Sequence, residues 1–152
     1  NVKIYDSDLN YIGSNFSIEA RVYLPDIVWT RDYGSLYIAE KNYKWSLYFS
    51  SFRELGVRKV ELSGFLVFPI GTKGIRVYAS DFTFHPNTWY HVKMTYDQKN
   101  IKIFIDGIEI KSVEESRTQS QYDEHPLVIG SVHYTDYFQF EGFIDEVKYS
   151  AI

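Results

Sequence analysis

The chain contains no cysteine, which removes disulfide scaffolds, thiolate metal sites and cysteine nucleophiles from consideration. That fits a cytosolic protein, and equally a microbial surface protein stabilised by the size of its core. Methionine occurs once, and no heptad or long amphipathic helical pattern runs through the 152 residues. No apolar run approaches the ~20 residues that span a bilayer, and no basic, apolar, small-residue leader opens the sequence, so membrane insertion is not expected. Cationic clusters are missing too. The 16 Lys and Arg are dispersed among 20 Asp and Glu, the net charge is −4, and nucleic acid is not expected as a partner. There is no internal repeat.

What is present in excess is aromatic: 14 Tyr, 11 Phe and 3 Trp, which together with Ile and Val favour strands over helices. A chain of 152 residues suits one domain with a full core, 1–152. It opens inside what reads as a strand, Val2-Lys3-Ile4, and closes just after another, as a domain excised from a longer chain would.

Residues 89–107, WYHVKMTYDQKNIKIFIDG, carry the strongest signal. Val92, Met94 and Tyr96 share one parity and Ile101, Ile103 and Ile105 the matching one, while Lys93, Thr95 and Lys102 take the other side. This is a hairpin, and Asp106-Gly107 offers the pair that a two-residue turn with positive φ prefers, after which 108–111 alternate again. Three antiparallel strands are therefore specified in sequence. A further strand at 16–24 has Phe16, Ile18, Ala20, Val22 and Leu24 on its core face and is ended by Pro25. Others read at 35–40, 44–50, 57–68, 74–80, 126–130 and 138–150, separated by turn signals. So many short strands at this spacing imply an all-β fold of two packed antiparallel sheets. Residues 113–124, VEESRTQSQYDE, have almost no apolar content and are expected to form a long exposed loop or a short helical turn.

Three ordered blocks, FSIEARVYLP, then WYHVKMTYDQKNIKIFIDG, then PLVIG followed by FQFEGFIDEVKYS, resemble laminin G-like domains of the concanavalin A-like jelly-roll superfamily. The closing block matches through Gly142, Ile144, Asp145, Glu146, Val147 and Tyr149. The resemblance implies a two-sheet antiparallel jelly-roll sandwich with a concave face and loop edges where family members bind glycans or proteins.

Catalytic patterns are absent from the sequence. Laminarinase-like glycosidases on this fold carry alternating carboxylates on one strand, aimed into one cleft. The nearest stretch here, EGFIDE at 141–146, has Asp145 and Glu146 adjacent and so on opposite faces. His85, His91, His125 and His133 are isolated and lack metal-ligand spacing. His91 is expected to make a structural hydrogen bond, and Asp106 to form a turn.

Two features point to binding. Apolar parity switches along the last strand, with Phe138, Phe140 and Ile144 on one side and Phe143, Val147 and Tyr149 on the other, so a bulge is expected near Gly142. Asp145 sits at the switch and, on simple alternation, joins the apolar side. A carboxylate there needs a cation or several donors. One structural Ca2+ would serve, as related jelly-roll domains suggest, and so would backbone N–H groups or an arginine. The second feature is a set of aromatics on outward parities, Tyr23, Tyr37, Tyr48, Tyr78 and Phe104, with Arg21 and Arg76 on the same faces. Sugars stack their C–H faces on such rings, so these residues are candidate ligand contacts on a concave face, with Trp29, Tyr33, Tyr134 and Tyr137 as a candidate loop rim. Cross-strand pairing of surface tyrosines is the structural alternative. Trp45 and Trp89 read as core. The expectation is a non-enzymatic, lectin-like recognition or adhesion module, extracellular or at a cell or particle surface, with a glycan or surface protein as partner. Its alternatives are a structural or protein-interaction domain of a surface, filament or virion protein, and a glycoside hydrolase or polysaccharide lyase with an unrecognised site.

Overall fold

The computed structural model describes residues 2–5, 15–30, 34–42, 44–69, 72–119, 124–132 and 139–151. Alternation along the chain produces eleven strands among the described residues: β1 (Val2–Ile4), β2 (Asn15–Leu24), β3 (Gly34–Lys41), β4 (Trp45–Glu54), β5 (Val57–Leu66), β6 (Ile75–Tyr78), β7 (Thr88–Asp97), β8 (Asn100–Ile105), β9 (Ile108–Glu114), β10 (Leu127–Ile129) and β11 (Phe143–Ala151). The one helical element among the described residues is a single 3-10 turn, Asp26–Trp29, directly after Pro25.

The strands form a six-stranded sheet in the order β1-β10-β3-β4-β5-β6 and a five-stranded sheet in the order β11-β2-β7-β8-β9, antiparallel throughout. Two meanders, β3 to β6 and β7 to β9, each stay within one sheet, and the other connections cross from layer to layer. Both are hairpin-driven. At β8–β9 the turn residues Asp106 and Gly107 have φ of 50° and 81°, as expected for a two-residue turn of mirror type. The β4–β5 turn reaches the same conformation with Leu55 and Gly56, at 49° and 81°, although leucine gives no such signal in the sequence. In the β7–β8 turn, the Asp97 carboxylate accepts hydrogen bonds from the backbone N–H groups of Lys99 and Asn100, at 2.9 and 2.7 Å.

Each sheet hides one parity against the other. Phe16, Ile18, Ala20, Val22 and Leu24 of β2 face Leu36, Ile38, Leu47, Phe49 and Leu62 of the opposite layer, all buried, together with the inward residues of β7 and β8. Aromatic rings close both ends of this core. At one end Trp45, Phe16 and Tyr149 form a stack across the layers, with centroids 5.6 to 6.1 Å apart. At the other, Phe49, Phe82, Phe84 and Tyr90 meet edge to face. Midway, Gly64 of β5 lets the layers approach: a Cβ there would lie 2.4 Å from Met94 Sδ on β7.

Three expectations change. Trp89 is not core. It is 43 % exposed, since it shares parity with His91 and Lys93 and not with Val92 and Met94. The switch of face in the last strand lies between Asp145 and Lys148 and not near Gly142, with Glu146 at φ 50° absorbing the extra residue. Residues 113–119 are also not a purely exposed loop: Gln119 is buried, and its side-chain amide donates to the carbonyls of Lys44 and Val67, at 2.7 and 3.1 Å, tying this segment to the six-stranded sheet.

Gly64→Val should therefore destabilise the fold by about 1–3 kcal/mol, read from denaturant melts. Met94→Ala should make that substitution cheaper in the double variant than in the single one, since the same space is released. Burial pushes the phenols of Tyr96 and Tyr149 up to about 12, so the stability they bring is complete below the ordinary tyrosine value of ~10 and is lost as pH rises from there through 12. Tyr149 Oη is buried without a hydrogen-bond partner. Tyr149→Phe is expected to leave the melting midpoint at neutral pH unchanged or raised, and to make its alkaline fall shallower.

Candidate functional site

The outward face of the six-stranded sheet gathers four of the residues that alternation singles out. Tyr37 of β3 lies opposite Tyr48 of β4, Tyr48 opposite Ser63 of β5, and Ser63 opposite Tyr78 of β6, so one register line crosses four strands. The next line runs through Glu40, Ser46, Phe65 and Arg76. Tyr37 and Tyr48 stack with centroids 5.0 Å apart and planes 18° from parallel. Tyr48 is only 2 % exposed although it points away from the core, because its neighbours on the face cover it. Burial pushes its phenol above the usual tyrosine range, and Arg76 opposes that shift in part. Tyr78, at the sheet edge, is 41 % exposed.

Arg76 is the charged centre of this field. Its guanidinium lies 5.1 Å over the Phe65 ring, and Tyr48, Tyr78 and Tyr37 stand close enough to favour its charge. Beside it a hollow of about 150 Å³ is lined by Tyr37, Glu40, Asn42, Lys44, Ser46 and Phe65, among others. Ser63 is fully buried, and its Oγ lies 3.4 Å from that of Ser50. Chemically the field offers aromatic faces, hydroxyls, an amide and a guanidinium on a rigid sheet.

The remaining candidates fall elsewhere. Tyr23 and Arg21 are on the outward face of the five-stranded sheet, where Phe143, Tyr23 and Trp89 align across β11, β2 and β7. Tyr23 is tilted against both neighbours at 5.6 and 5.7 Å, and Arg21 lies 5.3 Å over Trp89. Phe143, placed inward by simple alternation, is 65 % exposed because the bulge re-phases β11 after it. Phe104 shares this sheet, opposite Lys93, and is far from the tyrosine field in the register. Trp29 ends the 3-10 turn and lines a different hollow of about 140 Å³ with Phe52, Arg58, Lys59, Glu61 and Phe82. Tyr33, Tyr134 and Tyr137 lie outside the described residues, as does His133. Phe65, Ser46 and Asn42 were not singled out from sequence. For Phe65 the signal was present, since it shares parity with Ser63 between Gly64 and Leu66. Trp89 was readable in the same way.

His91 and Asp106 are structural. The His91 backbone N–H donates to Asp106 Oδ1 at 2.8 Å, and His91 Nε2 is 3.2 Å from Glu19 Oε2. A hollow of about 530 Å³ at the β7–β8 and β9 ends is lined by Glu114 and Glu115, among others. There, hydrogen bonds from Arg117 hold the Glu115 carboxyl below the usual range, the opposite of what a glycosidase acid needs.

Asp145 does not sit in an apolar layer. Val147 and Tyr149 turn toward the core, whereas Asp145 is exposed, and its Oδ1 accepts the Glu146 backbone N–H at 2.8 Å. Among the described residues no group of three acidic or histidine side chains gathers around a point, so these side chains by themselves form no carboxylate cage.

A profile of laminin G type, of the concanavalin A-like lectin/glucanase superfamily, matches residues 1–150, and the chain belongs to that superfamily. Its fold is shared by solved structures of low identity. The binding domain of Paraclostridial Mosquitocidal Protein 1 is 18% identical with a TM-score of 0.62, over 82% of this chain and 31% of that one. Domain 4 of AbnA, an extracellular arabinanase of Geobacillus stearothermophilus in complex with arabinotriose, is 14% identical at 0.59, over 92% and 62%. Domains LG4-5 of the mouse laminin α1 chain are 11% identical at 0.61, over 92% and 36%. The chain thus spans about a third of the length of the first and last of these. No curated protein matches it in sequence. No helix among the described residues is long and apolar enough to cross a membrane.

Melting in EDTA and in added calcium is the direct check on the last strand. The midpoint is expected to be the same in both, and a rise with calcium would show that Asp145 takes part in a site of another shape.

Proposed function

We propose that this domain is a non-catalytic carbohydrate-recognition module that acts outside the cell or at a cell or particle surface as part of a longer polypeptide. The observation that carries this reading is the convergence of Tyr37, Tyr48, Tyr78, Phe65 and Arg76 on one outward sheet face beside a hollow of about 150 Å³. Sugars present apolar C–H faces and many hydroxyls, and this surface offers rings for the first and serine hydroxyls, an amide and an arginine for the second. The arabinanase domain of the same fold, solved with arabinotriose, is a precedent for an oligosaccharide on such a sandwich. The binding domain of Paraclostridial Mosquitocidal Protein 1 is a precedent for a binding role on this fold.

A second reading, a protein-interaction domain, is favoured by the other sheet. Phe143 and Trp89 are 65 % and 43 % exposed on the two strands that flank β2, with Tyr23 between them, a composition typical of protein contact surfaces.

Glycan-array binding with two variants separates these readings. The wild type is expected to be retained on a subset of saccharides, Tyr78→Ala to lose about tenfold in affinity, and Trp89→Ala to bind as the wild type does. Loss with Trp89→Ala and not with Tyr78→Ala would move the site to the five-stranded sheet. Retention on no saccharide would leave the protein-interaction reading.

A further inference from the structure

The tyrosine field contains an arginine that the fold itself does not neutralise. Arg21, Lys59, His91, Lys93, Lys102, Arg117 and Lys148 lie in ion pairs with carboxylates, and Arg76 takes part in none of these. Its surroundings are phenols and a ring: Tyr48, Tyr78 and Tyr37 stand near it, and Phe65 lies beneath it. The guanidinium is exposed, so the rest of its planar fork of N–H donors is presented to solvent.

The adjoining hollow points the same way by a separate observation. Asn42 lines it, is 3 % exposed, and its Nδ2 donates to nothing. A buried amide N–H without an acceptor is costly, and a ligand oxygen reaching it on a small adjustment of the wall would recover that cost. The charged side chains of the wall are two ammonium groups, Lys41 and Lys44, and one carboxylate, Glu40; Lys41 Nζ also donates to the His125 carbonyl. The wall is therefore rich in N–H donors, although the chain as a whole carries −4.

We infer that the saccharide taken by this face is acidic: a uronate unit whose carboxylate lies in the fork of Arg76 and whose ring stands in the hollow between Tyr37 and Phe65. A carboxylate matches the fork with two parallel hydrogen bonds, and the phenols and Phe65 hold the guanidinium in plane for it. Lysine would supply the charge without the fork. Glu40 borders the hollow and Glu61 lies on the far side of Tyr48, so they restrict where a second acidic group of the polymer can go.

The inference rests on the carbohydrate reading and is tested apart from it. Polygalacturonate, alginate and hyaluronan, each paired with its carboxyl-reduced form, would be compared for binding to the wild type, Arg76→Gln and Arg76→Lys, with thermal melts confirming that these exposed edge-strand variants fold. At least one native polymer should bind roughly tenfold or more tightly than its reduced partner. Arg76→Gln should abolish that difference, with the larger loss falling on the native polymer, Arg76→Lys should restore only part of it, and added salt should shrink it. Equal binding of native and reduced polymers, or preference for native polymers that survives Arg76→Gln, overturns the acidic ligand while leaving carbohydrate recognition in place. Absence of all three native polymers from the bound fraction also overturns it, and the glycan array then decides the broader reading by itself.

Discussion

Burial of Val92, Met94, Tyr96, Ile101, Ile103 and Ile105 against the facing sheet is the constraint on which the rest of this molecule depends. The six come from one hairpin and are all at most 1 % exposed. Because the side-chain period of a strand is two, hiding them fixes the orientation of every other residue in β7 and β8, and hydrogen-bonded register passes that choice to β2, β9 and β11. The opposite layer must then match the shape of this surface. Gly64 beneath Met94 and the aromatic stacks at the two ends are where the match is tightest. An outward face on each sheet is the geometric remainder, and its composition is free to serve recognition.

How far this could be read from sequence depends on whether local alternation was intact. The hairpin at 89–107, the parity of β2 and the positive-φ turn at Asp106 and Gly107 are all local, and the structure has them where alternation puts them. The outward placement of Tyr37, Tyr48, Tyr78 and Arg76 follows from the same rule. Their meeting does not, because it requires the register of β3 on β4, β4 on β5 and β5 on β6, and β3 carries a bulge between Tyr37 and Ala39 that no residue type announces. The errors have the same origin. In β11 the extra residue at Glu146 shifts the phase, so Asp145 leaves the apolar side that simple counting assigns it, and Phe143 becomes exposed. Trp89 differs for another reason: the bulk of tryptophan suggests core, but its parity with His91 and Lys93 points outward.

The two outward faces differ in how firmly they are built. On the five-stranded sheet, Trp89 and Phe143 lean on Tyr23 and remain open to solvent, anchored mainly by Tyr23 Oη donating to Asn87 Oδ1 at 3.2 Å and by Arg21 over Trp89. On the six-stranded sheet, Tyr48 and Ser63 are buried although they point away from the core. Polar side chains buried this way hold one arrangement, since each alternative rotamer would cost packing and hydrogen bonds. A surface that is already ordered loses little entropy when a ligand arrives.

That rigidity has a weak point, and its position matters for the proposed chemistry. Arg76 and Tyr78 both belong to β6, a four-residue strand at the edge of its sheet. Four residues of pairing with β5, the Ala79 N–H donating to the Leu62 carbonyl at 2.9 Å, and the inward Val77 are what keep it docked. The contact of Arg76 with Phe65 adds to these, so the group that would bind a ligand also helps to hold its own strand in place. A carboxylate in the fork of Arg76 would tie β6 to whatever the ligand touches on β3 and β4. Ligand binding and edge-strand order are therefore linked: occupancy should protect β6 against opening, and loosening of β6 should weaken binding even when every contact residue is intact.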